Sequence, residues 1–379
     1  MENESLQLNN LYLDKKYVTK RKYRSLHNVI YILSIICLIL IIILIIAIKQ
    51  IYKHEKYHKM AEDLSKTIFL MKEKIIQIKK NCSNNNYFYK NMLQLYIENR
   101  TEFYIRGRQR VMERIGRNYN DSNIITVQDK YNWLIIHDSP EKKSKYVDKI
   151  LLHNYSIEIF GKDICVPIIK IYNNIDEINL EELPNKFVLK CNHGSGMNIL
   201  CNNKKNFDIE KAKRKLKHWI TINWGINNFE YQYLNVQKKV FAEEYLIDDI
   251  LDYKFYCFNG EPKFIRVQKH LKNISIHNYY NLNFTLNEIE TNMPIYIRRP
   301  DIKFPKPKHL DLMIKYAREL SARFAFVRVD LYEANNKVYL GELTFTSINV
   351  YMPYRDINQS IYLASFLDIT QINKSLNNK

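Results

Sequence analysis

Residues 324–345 read FAFVRVDLYEANNKVYLGELTF, and this stretch decides the fold. Apolar and polar residues alternate on either side of Asn335-Asn336, a pair suited to the positive φ angles of a two-residue turn. The spacing therefore predicts two antiparallel strands joined as a hairpin. Arg328 and Asp330 fall on the first strand, Glu342 and Thr344 on the second. Pairing around the turn brings Asp330 and Glu342 near each other, and their parity is compatible with one sheet face shared with Arg328. Two carboxylates on one face make a hard-oxygen site suited to Mg2+ bridging nucleotide phosphates. The plainer alternative is that Asp330 pairs with Arg328 alone, or that both carboxylates are solvated at a sheet edge.

Upstream, short β-type runs at 187–190, 239–243 and 263–267 alternate with helical stretches at 208–220 and 309–323, which makes the class α+β. Glycine is scarce, 8 in 379 residues against a usual share of about 7%. Two of the eight nevertheless fall in Lys190-Cys191-Asn192-His193-Gly194-Ser195-Gly196, directly after a strand. Glycines let backbone N–H groups approach closely, as phosphate-covering loops require, although hairpin turns use the same residues. Lys190 at the end of the strand favours the phosphate reading. No G-x-S-x-G and no Cys/His pair marks a protein nucleophile. The cysteines at 37, 82, 165, 191, 201 and 257 lack zinc-like spacing; Cys191 and Cys201 either pair across a turn or stay buried thiols.

Toward the N-terminus, Val29 to Ile48 is a run of 20 residues without a charge, long enough to cross a hydrocarbon core of about 30 Å. It lacks a small-residue cleavage site and reads as an uncleaved single-pass anchor. A basic polar tail (1–28) precedes it. Lys15, Lys16, Lys20, Arg21, Lys22 and Arg24 on one side face Lys49, Lys53, Lys56, Lys59 and Lys66 on the other, so charge does not orient the span. Tyr57, Ala61, Leu64, Ile68, Met71, Ile75, Ile78 and Cys82 then recur at steps of four and three. This seam predicts a helical stem over 49–100, either a coiled coil that makes a homodimer or a lone amphipathic helix. The remaining 101–379 is expected to form the globular domain. Lys+Arg outnumber Asp+Glu by 58 to 40, a net charge of +18 that attracts phosphates, anionic lipid or acidic polysaccharide.

Four stretches in order, YNWLIIHDSPEKKSKYVDK (131–149), LPNKFVLKCNHGSGMNI (183–199), FAEEYLIDDILDYKFYCFNGEPKFIRV (241–267) and the opening one, resemble the ATP-grasp superfamily. They are most similar to the TupA-like ATP-grasp proteins found with bacterial polysaccharide biosynthesis, over roughly Lys130 to Leu367. The resemblance implies an ATP-grasp fold, two α+β subdomains gripping ATP, behind the transmembrane helix and stem. It implies that Lys149, after Asp148, and Lys190 reach ATP phosphates. Gly194 and Gly196, with His193 and Ser195 between and beside them, form a mobile flap; His193 carries a proton there or contacts nucleotide or solvent. Glu243, Glu244, Tyr245 and Leu246 form the hinge that holds adenine, with Asp248 or Asp249 near the ribose. Asp330 and Glu342 are the implied Mg2+ ligands, and Lys254 and Arg328 the catalytic cations near the transferred phosphate. Thr344 departs from the usual Asn as third ligand, and Thr346 to Pro353 replaces the usual glycine-rich turn of the acceptor pocket.

The resemblance thus implies an ATP-dependent ligase, joining a carboxylate to an amine on a saccharide or its precursor, with no nucleic-acid partner. A sugar kinase would use the same nucleotide grip. A membrane-tethered glycosyltransferase shares the layout of tail, anchor, stem and domain, but no D-x-D occurs in the chain. A non-catalytic relic is the reading if Thr344 has cost the site its metal. Sequons beyond the span begin at Asn81, Asn99, Asn120, Asn154, Asn273, Asn283, Asn358 and Asn373. Such motifs matter in a lumenal domain and favour a type II, Golgi- or ER-type protein. Cytosolic orientation is the alternative, since ATP is supplied there.

Overall fold

The computed structural model describes residues 91–370 except 93, 114–117, 119, 121, 272–273, 292–295 and 347–353. The expected span at 29–48 and nearly all of the expected stem lie outside these residues. Among the described residues no helix is long and apolar enough to cross a membrane. The helices are α1 (Arg100–Glu113), α2 (Val127–His137), α3 (Ser144–Val147), α4 (Leu151–Phe160), α5 (Ile209–Ile220), α6 (Trp224–Asn228), α7 (Leu310–Ser321) and α8 (Ile357–Ala364). The strands are β1 (Ile168–Tyr172), β2 (Phe187–Cys191), β3 (Asn198–Cys201), β4 (Val240–Glu244), β5 (Asp252–Phe258), β6 (Glu261–His270), β7 (Ser275–Tyr280), β8 (Leu286–Asn287), β9 (Tyr296–Arg298), β10 (Phe326–Ala334) and β11 (Lys337–Thr344). The strands expected at 187–190, 239–243, 263–267 and around the Asn335-Asn336 turn and the helices expected at 208–220 and 309–323 are present, with ends shifted by a few residues.

The strands form two sheets; in each, one face is mainly apolar, and the other carries charged side chains beside buried apolar ones such as Phe241 on the smaller sheet and Tyr256, Phe258, Phe264 and Phe326 on the larger. In the smaller, ordered β1-β4-β2-β3, Phe187, Leu189, Cys191, Val240 and Ala242 pack with Ala212 and Leu216 of α5. Side chains alternate along a strand, so Lys190 and Glu243 fall on the opposite face. The larger sheet runs β11-β10-β5-β6-β7-β8, with β9 beside β7. Phe255, Cys257, Ile265, Val267, Val327, Val329 and Leu331 bury its apolar face against α4 and α7. Helix α7 meets it with Leu310, Met313, Ala317 and Leu320, the three-four spacing of one helical stripe. Each such fully buried side chain contributes about 1.5–3 kcal/mol, which fixes which face of the sheet is left for chemistry.

Asn335 and Asn336 adopt φ of 51° and 59° and close the expected hairpin between β10 and β11. The pairing differs from the simple parity argument. Counting back from the turn, Leu331 pairs with Leu340, and an unbroken ladder would set Glu342 opposite Val329, facing the core. A register shift between Asp330 and Leu331 sets Glu342 opposite Asp330 instead. Gly341 is the extra residue; a Cβ there would fall 2.5 Å from the Tyr332 ring. A bulge at glycine re-aims the next side chain, and here it turns Glu342 out of the core. The described cysteines Cys165, Cys191, Cys201 and Cys257 are free and buried. The 191–201 pairing is thereby excluded, because Cys201 lies opposite Phe187 at the far end of β2.

Candidate active site

A straight row of polar side chains crosses the larger sheet. Glu342 pairs with Asp330, Asp330 with Lys254, and Lys254 with Arg266 in successive ladders. Residues directly opposite in antiparallel strands share a face, so all four stand on the side away from the core. Arg328, two residues before Asp330, joins them. Its Nε donates to Asp330 Oδ1 at 2.6 Å and its Nη2 to Asp330 Oδ2 at 2.7 Å. Nη2 also reaches Glu342 Oε1 and Thr344 Oγ1, each at 3.1 Å. The Thr344 hydroxyl donates in turn to Glu342 Oε1 at 3.1 Å. Lys254 Nζ lies 2.7 Å from Asp330 Oδ2 and 3.0 Å from Asp252 Oδ2, and His270 Nε2 caps Asp252 at 2.9 Å.

These charges are buried, with Asp330 at 1% exposure and Lys254 at 7%, and β10 is an interior strand. A solvated pair at a sheet edge is therefore excluded for Asp330, while pairing with Arg328 and proximity to Glu342 both hold. Burial alone would raise the Glu342 carboxyl; Lys149, then Arg328 and Lys254, outweigh it and hold the carboxyl down at about 2. Burial works against charge on Lys254 as well, but Asp252 and Asp330 raise its pKa. Buried ions persist only when paired in this way.

Lys149 connects the row to the loop after β2. Its Nζ donates to Gly194 O at 2.7 Å and lies 3.7 Å from Glu342 Oε2. Gly194 rests on Trp224; a Cβ would fall 2.9 Å from two indole atoms. Gly196 takes φ of 70°, and Ser195 and Gly196 are exposed. Asn192 ties the loop's base to the neighbouring strand, donating to Gln237 O at 2.9 Å and accepting from Lys239 N at 2.8 Å. His193 departs from expectation: it is 1% exposed, with Nε2 3.2 Å from Trp219 O. Burial, then Lys238, lowers its pKa to about 4, so it is a neutral packing residue rather than a solvent-facing one.

Residues 129–360, more than half the chain, match the TupA-like ATP-grasp family model. The chain belongs to this TupA-like ATP-grasp family. No curated protein matches it. Similar solved structures include N5-carboxyaminoimidazole synthetase from Staphylococcus aureus, 15% identical over 54% of this chain and 46% of that one, TM-score 0.32; it is also solved with ADP. D-alanyl-alanine synthetase A from Vibrio cholerae is 13% identical over 66% of this chain and 73% of that one, TM-score 0.37. The ATP-grasp ligase PsnB, solved with Mg and ADP, is 9% identical over 56% and 52%, TM-score 0.29. The chain spans about half the length of the synthetase (46%), and the family match carries the assignment.

In this ATP-grasp chain the smaller sheet faces the row with Lys190 and Glu243, whose ammonium and carboxylate are paired. Glu244, on the other side of β4, is exposed. Tyr245 and Leu246 follow at half-buried positions, and Tyr245 donates to Asp248 Oδ1 at 2.6 Å. The Asp249 side chain is 80% exposed, 3.2 Å from Lys269. Lys149, Glu243, Cys165, Val166, Leu340 and Gly341 line a cavity of about 10 Å³ between the sheets, room for one water. The donor set fits a hard cation. Among the described residues Glu342 Oε2 has Lys149 as its ion-pair partner, at 3.7 Å, while Asp330 and Thr344 share Arg328 with the other oxygen of Glu342. Sequence reasoning missed Asp252, Asn192 and Glu230. The last is a buried carboxylate that accepts from Thr346 and Trp224 beneath the loop.

Proposed function

We propose that this protein is a membrane-anchored, ATP- and Mg2+-dependent carboxylate–amine ligase that modifies a saccharide or polysaccharide precursor. In the first step a substrate carboxylate oxygen attacks the γ-phosphorus of ATP, and ADP leaves. In the second, an amine attacks the acyl carbon of the acyl-phosphate, releasing inorganic phosphate and a proton and leaving an amide. The observation that carries the reading is the pair Lys190 and Lys149, each beside a carboxylate that a polyphosphate can displace, facing Lys254 and Arg328, which Asp330 holds in place. Lys190 exchanges Glu243 for phosphate, and Lys149 exchanges Glu342. Lys254 and Arg328, fixed by Asp330, face the charge that develops in transfer. The freed Glu243, with Glu244, Tyr245 and Leu246, holds the adenine, and Asp249 lies at the ribose. Gly194, Ser195 and Gly196 close as the flap above the buried His193. Asp330, Glu342 and Thr344 would hold Mg2+, whose charge offsets that of the phosphates.

Calorimetric titration of the full-length chain with Mg-ATP tests this. Micromolar binding is expected, lost in Lys190→Ala and made indifferent to Mg2+ in Glu342→Gln. A folded parent that binds no ATP would sink the enzyme reading.

The domain is placed in a lumen, behind the anchor and with the stem as a dimerising element. Exposure supports this side: Asn99, Asn120, Asn154, Asn283 and Asn358 are all exposed among the described residues. Expression in a eukaryotic cell should give a membrane-bound product whose electrophoretic mass falls on treatment with an N-glycosidase. An unshifted, membrane-bound product would assign the domain to the cytosol.

A further inference from the structure

The row continues one strand past the ions already described, and there its pairing stops. Arg266, opposite Lys254 on one side and Tyr279 on the other, is 2% exposed. Its Nη2 bonds Gln268, but Nε and Nη1 make no hydrogen bond of normal geometry. No ion pair joins it to a carboxylate among the described residues. The Tyr296 ring stacks on the guanidinium, with its centroid 5.2 Å away. Nearby, the Tyr279 and Tyr131 hydroxyls, His277 Nδ1 and Arg298 Nε are also buried without a hydrogen bond of normal geometry, although the Tyr279 hydroxyl lies within reach of Arg266 and Thr291, and that of Tyr131 within reach of Tyr354. Six of the eight such atoms among the described residues belong to this cluster; the other two, on Tyr172 and His193, lie on the smaller-sheet side.

A buried guanidinium with idle donors is expensive, and native proteins leave few such groups without a use. Arg266 Nε and Nη1 and Arg298 Nε can only donate, and the Tyr279 and Tyr131 hydroxyls can donate as well as accept; the cluster holds no carboxylate that could accept from Arg266, and Arg298 is engaged with Glu290. The missing component is an acceptor-rich anion. Strands in a sheet lie about 4.8 Å apart, so Arg266 stands roughly 10 Å from Asp330, the length of a small substrate.

We infer that Arg266, with the Tyr279 hydroxyl, forms a subsite for an oxyanion, carboxylate or phosphate, carried by the substrate that reacts at the Arg328–Lys254 site. The subsite rests on the ligase reading for its purpose, but not for its detection. Gripping a remote charge there orients the reacting group beside the nucleotide, which is how binding energy away from the reacting bond serves the reaction.

The test uses the full-length chain with a saturating non-hydrolysable ATP analogue and Mg2+, which occupies the phosphate-binding lysines. Thermal midpoints are followed against acetate in one arm and phosphate in the other, with chloride as the ionic-strength control. The parent should be stabilised saturably by one of the two anions, and the responding arm identifies the oxyanion class. Arg266→Met should weaken that response at least tenfold while keeping the nucleotide's own stabilisation. Tyr279→Phe, which retains the ring, should weaken it by a few fold and stands in if Arg266→Met does not fold. An equal response in the variants, or no response beyond chloride in the parent, overturns the subsite. If the nucleotide itself fails to stabilise the parent, the ATP reading falls instead, and the anion titration without nucleotide still decides Arg266.

Discussion

The two polar faces that confront each other in this molecule hold their ions differently. On the larger sheet Lys254 touches two carboxylates and Arg328 grips both oxygens of Asp330. On the smaller, Lys190 has Glu243 as its ion-pair partner, and Lys149, between α3 and α4, is divided between the carbonyl of Gly194 in the loop after β2 and a distant carboxylate oxygen. The first arrangement is a fixed platform and the second a set of exchangeable contacts. Asp330→Ala should show the largest effect, since it strands two buried cations; a loss of about 3–5 kcal/mol in urea unfolding is expected. Lys190→Met keeps the apolar stem but leaves the buried Glu243 carboxylate without its ion-pair partner, and should cost about 1–3 kcal/mol, less than Asp330→Ala, while removing ATP affinity. Equal losses of stability in the two variants would break the distinction between platform and contacts.

Acid sharpens the comparison, because each face has a buried neutral histidine. His193 lies beneath the flap with a pKa near about 4, lowered by burial and then Lys238. His277 lies beside Arg266 at about 3, lowered by burial and then Arg266. In both, the folded pKa is below that of free imidazole, so the unfolded chain binds more protons between these values and about 6.5. Their contribution is complete above about pH 6.5 and is lost as pH falls through 6 and 5 toward 4, on the order of 3 kcal/mol for each. Urea midpoints measured across this range should show the decline, and His193→Gln should remove about half of it. If the slope is unchanged in that variant, His193 is accessible to protons in solution and the flap is open.

Much of this was legible in the sequence, for identifiable reasons. The Asn335-Asn336 turn and the strict alternation around it are local signals, and they fixed the hairpin together with Arg328, Asp330 and Glu342. Local counting alone was incomplete, since Glu342 reaches the polar face only through the bulge at Gly341. Lys149 beside Gly194 depends on a contact between distant segments, which no periodicity encodes. His193 was misjudged because a loop histidine between polar neighbours carries no sign of the Trp219 carbonyl that covers it. Arg266 had a signal that went unread: a charge inside the apolar run Phe264-Ile265-Arg266-Val267 must either break the strand or face a special partner.

The smallest effect, and the most diagnostic of the flap, is expected from Gly194→Ala. The new methyl group would meet the Trp224 ring at 2.9 Å, and the ring is not free to retreat, because its Nε1 is bonded to Glu230 and Glu230 to Thr346. The loop must lift instead. Overpacking of this kind costs about 1–3 kcal/mol, and the lower end applies at a loop whose next residues are exposed. Lifting would also carry the Gly194 carbonyl away from Lys149, so ATP affinity should fall more than stability does. Trp224→Leu makes room for the methyl group, and in the double variant the two costs should be less than additive by more than the roughly 0.5 kcal/mol scatter of independent sites. Strict additivity in urea unfolding and in ATP titration would mean that the flap does not rest on Trp224 in solution. The exchangeable face would then begin at Lys190 alone, with Gly194 and Lys149 belonging to neither side.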